Sequence, residues 1–179
     1  MTREEAREIL FQMTETESLR RHARTVELVM EALAMHYGED AEKWAITGLL
    51  HDADYEKYPD RHPGVIVQKL KDMGEEEIAH AIAGHYTQWN VPRNSLMDKA
   101  IVAADELTGF VVAAALIRPT KIEGLEAKSV LKKLRTATFA AKVDRNEVYQ
   151  GAEMLGWQPE ELISFIIGVL QQNASELSL

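Results

Sequence analysis

The dipeptide His51-Asp52 ends the segment WAITGLLHD, which is apolar on nearly every side before it reaches two residue types that bind metals. Because a helix that is apolar all round is usually buried, this segment predicts a central helix. Neighbouring side chains at the end of such a helix can converge on one ion. A lone His-Asp pair arises easily by chance, so other ligands must be sought elsewhere in the chain.

Two more histidines lie on apolar helix faces. His22 falls on an apolar stripe with helical spacing, and His85 shares a face with Ile78 and Ile82. For His22 the spacing alone favours a hydrogen-bonded core residue over a metal ligand. His85 is expected to point inward.

The remaining three histidines have simpler interpretations. His36 lies about 21 Å along a helix from His22, so these two cannot share an ion. His80 groups with acidic residues and is expected to be solvated. His62 precedes Pro63 beside a predicted helix start, and its position alone favours a helix-capping role.

A carboxylate, Asp105, lies on an apolar face of the segment KAIVAADELTGFVVAAALI. An unpaired buried carboxylate costs on the order of several kcal/mol, so a hydrogen-bonded cluster, an arginine or a metal must neutralise it. The chain has no cysteine, so any metal must be held by His, Asp or Glu. Imidazole and carboxylate ligands suit a divalent ion of Mn, Fe, Co, Ni or Zn.

The elements that carry these residues are predicted to be helices, because no sustained period-two alternation is present. Ser95 is expected to cap a long helix that carries Asp105. The predicted helices cover about residues 2–13, 16–37, 40–52, 63–74, 75–86, 95–118, 127–135, 145–155 and 159–176. We expect an all-α fold, a compact multi-helix bundle with a C-terminal helical extension. It forms one domain over residues 1–179, with a core at about 16–118 and C-terminal helices at about 119–179.

The net charge of −9 argues against broad nucleic-acid binding and against binding to anionic membranes. No apolar run is long enough to span a membrane, and the acidic start MTREEAREIL does not resemble a secretory signal, so we expect a cytoplasmic protein. Residues 118–145, however, carry eight basic and three acidic residues. This basic segment is expected to meet a small anionic ligand.

The order of the histidines and acids resembles the HD-domain superfamily of metal-dependent phosphohydrolases. The resemblance runs over about residues 16–145, and the segments that carry it are RRHARTVELVMEALA, AITGLLHDADYE, DRHPGVIVQKL, AIAGHY and IVAADELTGFVVAAALIRP. The resemblance implies four ligands for a first ion: His22, His51, Asp52 and Asp105. Two-metal members have two further histidines, and His62 and His85 stand in those places, with Asp52 bridging two ions.

The residues after the HD dipeptide and the basic segment 118–145 provide the candidates for catalysis and substrate binding. Many members have a Gly-Lys pair after the HD dipeptide, whereas Asp54 and Tyr55 follow it here. The candidate catalytic residues are Asp52, Asp54 and Glu56. Asp54 and Glu56 are the candidates for handling protons, with a surface salt bridge as the alternative. Four basic residues are the candidates for substrate phosphates: Arg118, Lys128, Lys132 and Arg135.

The implied activity is hydrolysis of a phosphate ester or anhydride by metal-activated water, with two divalent ions per chain. The partner is a small phosphorylated substrate, a nucleotide by family analogy alone. One alternative is a one-metal 5'-nucleotidase-type hydrolase that uses only the first four ligands. Another is a metal-stabilised helical module that binds a nucleotide without turnover.

Overall fold

Helices make up all of the regular structure in the computed structural model, which describes residues 1–179. There is no strand, and two short 3-10 turns cover Pro59–Arg61 and Thr87–Trp89. The α-helices are α1 (Arg3–Met13), α2 (Glu17–Tyr37), α3 (Ala41–Leu50), α4 (Gly64–Asp72), α5 (Glu76–His85), α6 (Leu96–Leu116), α7 (Ala127–Leu134), α8 (Arg145–Met154), α9 (Pro159–Gln172) and α10 (Ala174–Leu177). The prediction of an all-α fold is confirmed.

Most predicted helix limits agree with the structure to within a few residues. The predicted helix over 159–176 is divided at Asn173 into α9 and α10. His51 is the C-cap of α3 rather than an interior residue. At the start of α6 the Ser95 hydroxyl accepts a hydrogen bond from the Asp98 amide at 3.0 Å, and the Asp98 carboxylate accepts one from the Ser95 amide at 2.8 Å. Ser95 therefore caps α6 as predicted.

Packing divides the chain into two compact units, Met1–Ile101 and Val102–Leu179, and each is described separately. The division falls within α6, whereas the sequence placed the end of the core near residue 118. The prediction of a single domain over residues 1–179 stays a prediction.

In the first unit, α3 packs against α1, α2 and α5. Every residue from Trp44 to Leu50 is buried, as the all-round apolar sequence of this helix predicts. Ile46, Leu49 and Leu50 belong to an apolar cluster with residues of α1, α4 and α5. The residue that follows α3, His51, is therefore held at the end of a deeply buried helix of this unit.

The contact between α2 and α3 depends on a missing side chain at Gly48. A Cβ atom there would lie 2.7 Å from the carbonyl oxygen of Val26 and 2.9 Å from the amide nitrogen of Glu27. Both are backbone atoms of α2, so no side chain can move aside to make room. Gly48 thus allows the close approach of α3 to the helix that carries His22.

In the second unit, α7, α8 and α10 all pack against α9. The buried face of α9 consists of Leu162, Ile163, Ile166, Ile167 and Leu170. Across the whole chain, no helix has the length and apolar character that crossing a bilayer requires.

Gly48→Ala should lower the free energy of unfolding by about 1–3 kcal/mol, because the added methyl group forces two backbones apart. Chemical denaturation followed by circular dichroism measures this change. Gly168→Ala is the matched control, because a Cβ in that part of α9 would meet nothing within 4 Å. Alanine there should be neutral or stabilise by up to about 1 kcal/mol. A Gly48→Ala protein as stable as the parent would contradict the tight contact.

Candidate metal centre

The buried side chain of His51 is fixed by the last turn of α3. Its Nδ1 atom lies 2.7 Å from the carbonyl oxygen of Gly48, three residues earlier. A carbonyl oxygen can only accept, so Nδ1 carries the hydrogen and donates it. Nε2 is therefore left as an acceptor on the opposite edge of the ring.

His85 repeats this arrangement at the end of α5. Its Nδ1 atom lies 2.5 Å from the carbonyl oxygen of Ile82, again three residues earlier. His85 is the last residue of its helix and is buried, as the sequence predicted. It also presents Nε2 as an acceptor.

His62 lies in the loop between α3 and α4 and obtains its support from a carboxylate. Its Nδ1 atom donates to Oδ1 of Asp54 at 2.7 Å. The other carboxylate oxygen, Oδ2, accepts from the amides of Val65 and Ile66 at 3.0 and 2.9 Å. Asp54 is fully buried, and all of these contacts use it as an acceptor.

The half-buried carboxylate of Asp52 is the point at which four imidazoles meet. Its Oδ1 atom lies 3.3 Å from Nε2 of His62 and 3.5 Å from Nε2 of His85. Its Oδ2 atom lies 3.6 Å from Nε2 of His51 and 4.0 Å from Nε2 of His22. The Nε2 atoms of His22 and His51 are 3.2 Å apart. The four rings thus divide into two pairs, one at each oxygen of Asp52.

The atoms of this cluster that could bind a metal suit a divalent ion. The Nε2 atoms of His51, His62 and His85 are acceptors and lie 3.3–3.6 Å from carboxylate oxygens that are also acceptors. Such groups repel unless a proton or a metal cation lies between them. Two atoms that bind one ion at about 2.0–2.2 Å are at most about 4.4 Å apart, and these separations fall below that limit.

The remaining predicted ligand, Asp105, lies on α6 in the second unit and is half-buried. Its role as a ligand stays a prediction from the resemblance. The adjacent Glu106 is also half-buried, and burial together with the carboxylates of Asp105 and Glu147 raises the pKa of Glu106 to about 7.

The structure changes the interpretation of Asp54 and Glu56. Asp54 cannot form a surface salt bridge, because it is fully buried and its oxygens are occupied by His62 and two amides. Glu56 accepts hydrogen bonds from the Thr16 hydroxyl at 2.5 Å and from the amides of Glu15 and Thr16, and these bonds lower the pKa of Glu56. It ties its loop to the turn between α1 and α2. Neither pattern favours the predicted proton-handling role, which stays a prediction.

Among the four predicted phosphate-binding residues, Arg118 differs from the others. Its guanidinium donates to the carbonyl oxygens of Lys121, Glu123 and Gly124 at 2.6, 2.9 and 3.1 Å, so it organises its own loop. The other three are exposed on or just after α7: Lys128, Lys132 and Arg135. Substrate contact by these three stays a prediction, and Arg118 is the poorer candidate.

Sequence reasoning missed two aromatic neighbours of His62. The rings of Tyr55 and Tyr86 each lie 5.5 Å from the His62 ring, measured between centroids, and meet it edge to face. Tyr55 remains half exposed. No periodic pattern marks these residues, because one lies in the loop after α3 and the other follows α5.

Comparison with protein families now adds to this geometry. The model of the family described as HD domain matches residues 19–109, slightly more than half of the chain. The chain belongs to the HD-domain superfamily of metal-dependent phosphohydrolases. The matched segment of this HD-domain protein includes all six predicted metal-binding residues: His22, His51, Asp52, His62, His85 and Asp105. Comparison with curated proteins and with solved structures finds no significant match.

Asp52→Ala should abolish tight binding of Co²⁺, because it removes the carboxylate that faces all four imidazoles. The loss should exceed the roughly 10–100-fold weakening that follows removal of a supporting hydrogen bond. Calorimetric titration measures the affinity, and far-UV circular dichroism checks helix content. His36→Ala is the control, since His36 is exposed on α2. Binding by Asp52→Ala equal to that of the parent would refute the assignment of this centre.

Proposed function

We propose that this HD-domain protein is a hydrolase of phosphate esters or anhydrides with two divalent ions per chain. The substrate is a nucleotide or a related small phosphorylated molecule. The observation that carries the proposal is the division of four imidazole Nε2 atoms between the two oxygens of Asp52. Membership of the superfamily supports the reaction class.

Asp52 is proposed as the bridging ligand. Oδ1 faces His62 and His85, and these three residues form one set of donor atoms that lie within 4.8 Å of one another. Oδ2 faces His51 and His22. The two lone-pair edges of a carboxylate allow each oxygen to serve a different ion, so one residue can belong to both sets.

Asp105 is proposed as a further ligand of the ion held by His22 and His51. This assignment rests on the family resemblance and on the matched segment, which extends past Asp105 to residue 109.

Divalent ions at these ligands would supply Lewis acidity, which would bring the pKa of a water toward neutrality and offset charge on the attacking and leaving oxygens. The chain's own contribution is to fix the ligands. The hydrogen bonds from Nδ1 of His51 and His85 to backbone carbonyls stop each ring from turning and leave the ring lone pair on Nε2. The half-exposed ring of Tyr55 beside His62 offers a flat surface at which a substrate can pack.

Lys128 and Lys132 are proposed to hold phosphates that do not react. They stand one helical turn apart on α7, and Arg135 follows that helix. Lysine provides a mobile charge, and arginine can bind phosphate through two hydrogen bonds.

The decisive assay is hydrolysis of a panel of phosphate esters and anhydrides in the presence of Mn²⁺, Fe²⁺, Co²⁺, Ni²⁺ or Zn²⁺. We expect turnover of at least one nucleotide and two bound ions per parent chain. His85→Ala should bind close to one ion and lose most activity, because it removes a donor from one set only. A parent that saturates at one ion, with His62 and His85 dispensable for activity, would instead favour a one-metal nucleotidase. Two bound ions without turnover of any compound would favour a non-catalytic module.

The double substitution Lys128→Glu and Lys132→Glu should lower kcat/KM by at least about 10-fold, with unchanged metal content, because it places negative charge where phosphates are proposed to bind. The matched control is the double substitution Lys121→Glu and Lys142→Glu. Lys121 Nζ already donates to the carbonyl oxygen of Ser178 at 2.7 Å, and Lys142 is exposed outside α7. Steady-state kinetics on the best substrate measures both. Equal, small effects in the two proteins would show that the basic segment is only a solvated surface.

A further inference from the structure

The support of His62 differs in kind from that of the two helix-end histidines. His51 and His85 donate Nδ1–H to neutral carbonyl oxygens three residues earlier, within their own helices. His62 lies in the turn that follows the 3-10 helix Pro59–Arg61, outside the α-helices. Its Nδ1–H donates instead to the carboxylate of Asp54, eight residues earlier in the chain.

Asp54 is itself held in one orientation. Its second oxygen accepts from the amides of Val65 and Ile66, which belong to the first turn of α4 and have no partner within that helix. The N-cap residue of α4 is Pro63, whose side chain makes no capping hydrogen bond. Asp54 therefore caps α4 from a distance, and the favourable helix terminus offsets part of the cost of burying its charge.

We propose that Asp54 is a positioning residue that locks His62 in the tautomer with hydrogen on Nδ1 and thereby delivers Nε2 as a metal-binding lone pair. With Nδ1 protonated, Nε2 faces Oδ1 of Asp52 at 3.3 Å. The opposite tautomer would point an N–H at the space where the ion is to bind. A charged acceptor at Nδ1 strengthens Nε2 as a ligand for a cation more than a neutral carbonyl does.

This inference goes beyond the earlier assignment of Asp54 as a proton-handling residue. It rests on the metal site of the proposed function but does not require turnover. Asp54 acts on the ion only through His62, since its own oxygens are directed at the ring and at the two amides.

Asp54→Asn separates this role from simple support of the loop. The amide oxygen of asparagine can still accept from Val65 and Ile66, but its NH₂ group then faces Nδ1 of His62 as a donor. His62 is thereby driven to the tautomer with hydrogen on Nε2. If Asp54 only supported the loop, the isosteric asparagine would be benign and Asp54→Ala would be the damaging change. The tautomer lock instead predicts that asparagine weakens metal binding at least as much as alanine.

The experiment combines two readouts on the full chain. Two-bond ¹H–¹⁵N correlation spectra of the metal-free protein, assigned with His62→Gln, report the tautomer of His62. We expect hydrogen on Nδ1 in the parent and on Nε2 in Asp54→Asn. Calorimetric titration with Co²⁺ should show one of two ions bound about 10–100-fold more weakly in Asp54→Asn. Asp60→Asn is the control, because Asp60 is an exposed acid on the same loop.

Several results would overturn the inference. These are an Nε2–H tautomer in the parent, unchanged Co²⁺ affinity in Asp54→Asn, a larger loss in the alanine variant than in the asparagine variant, or an equal loss in Asp60→Asn. If Asp54→Asn does not fold, the tautomer in the parent decides. A parent that binds two Co²⁺ ions with the expected tautomer but hydrolyses no phosphate would overturn the proposed function and leave this inference standing.

Discussion

Four imidazole Nε2 atoms lie around one carboxylate in the first unit. Acceptor atoms this close repel one another unless a proton or a metal cation lies between them. Three of these nitrogens are acceptors by necessity, since their Nδ1 atoms donate to oxygens that can only accept. Asp52 adds acceptors rather than donors at 3.3–3.6 Å. A metal cation bound among these groups would remove the repulsion between them, and their spacing would allow it to be held.

Two of the four histidines are positioned by the ends of helices. The last turn of an α-helix leaves carbonyl oxygens without intrahelical partners, and a histidine placed there can donate to one of them. His51 and His85 both do so, at the ends of α3 and α5. The two helices pack against each other, so two rings oriented by the same local rule arrive at one place. The close approach of α2 at Gly48 belongs to the same packing and sets the position of the helix that carries His22.

Some histidines are positioned by helix ends and one by a loop, and this difference explains what the sequence could predict. The helices were predictable because apolar spacing and capping residues are local signals, and the inward direction of His85 followed from the same spacing. The place of His62 could not follow from spacing, since it depends on a hydrogen bond to Asp54 across a loop. Only the family resemblance raised His62 to a candidate ligand. Periodicity likewise does not encode the hydrogen bond between Glu56 and Thr16 or those of Arg118 to its own loop.

The same contacts make the two oxygens of Asp52 chemically different. On the Oδ1 side, His62 stands between two carboxylates, Asp52 and the buried Asp54. On the Oδ2 side, His51 is supported by a neutral carbonyl. The negative charge of Asp54 is transmitted to its side through a polarised imidazole, which strengthens that ring as a ligand and offsets more of a cation's charge. Two ions that shared Asp52 would therefore not be equivalent. The inequivalence arises from the loop rather than from the helix ends, because His62 donates to a charged carboxylate where His51 and His85 donate to neutral carbonyls.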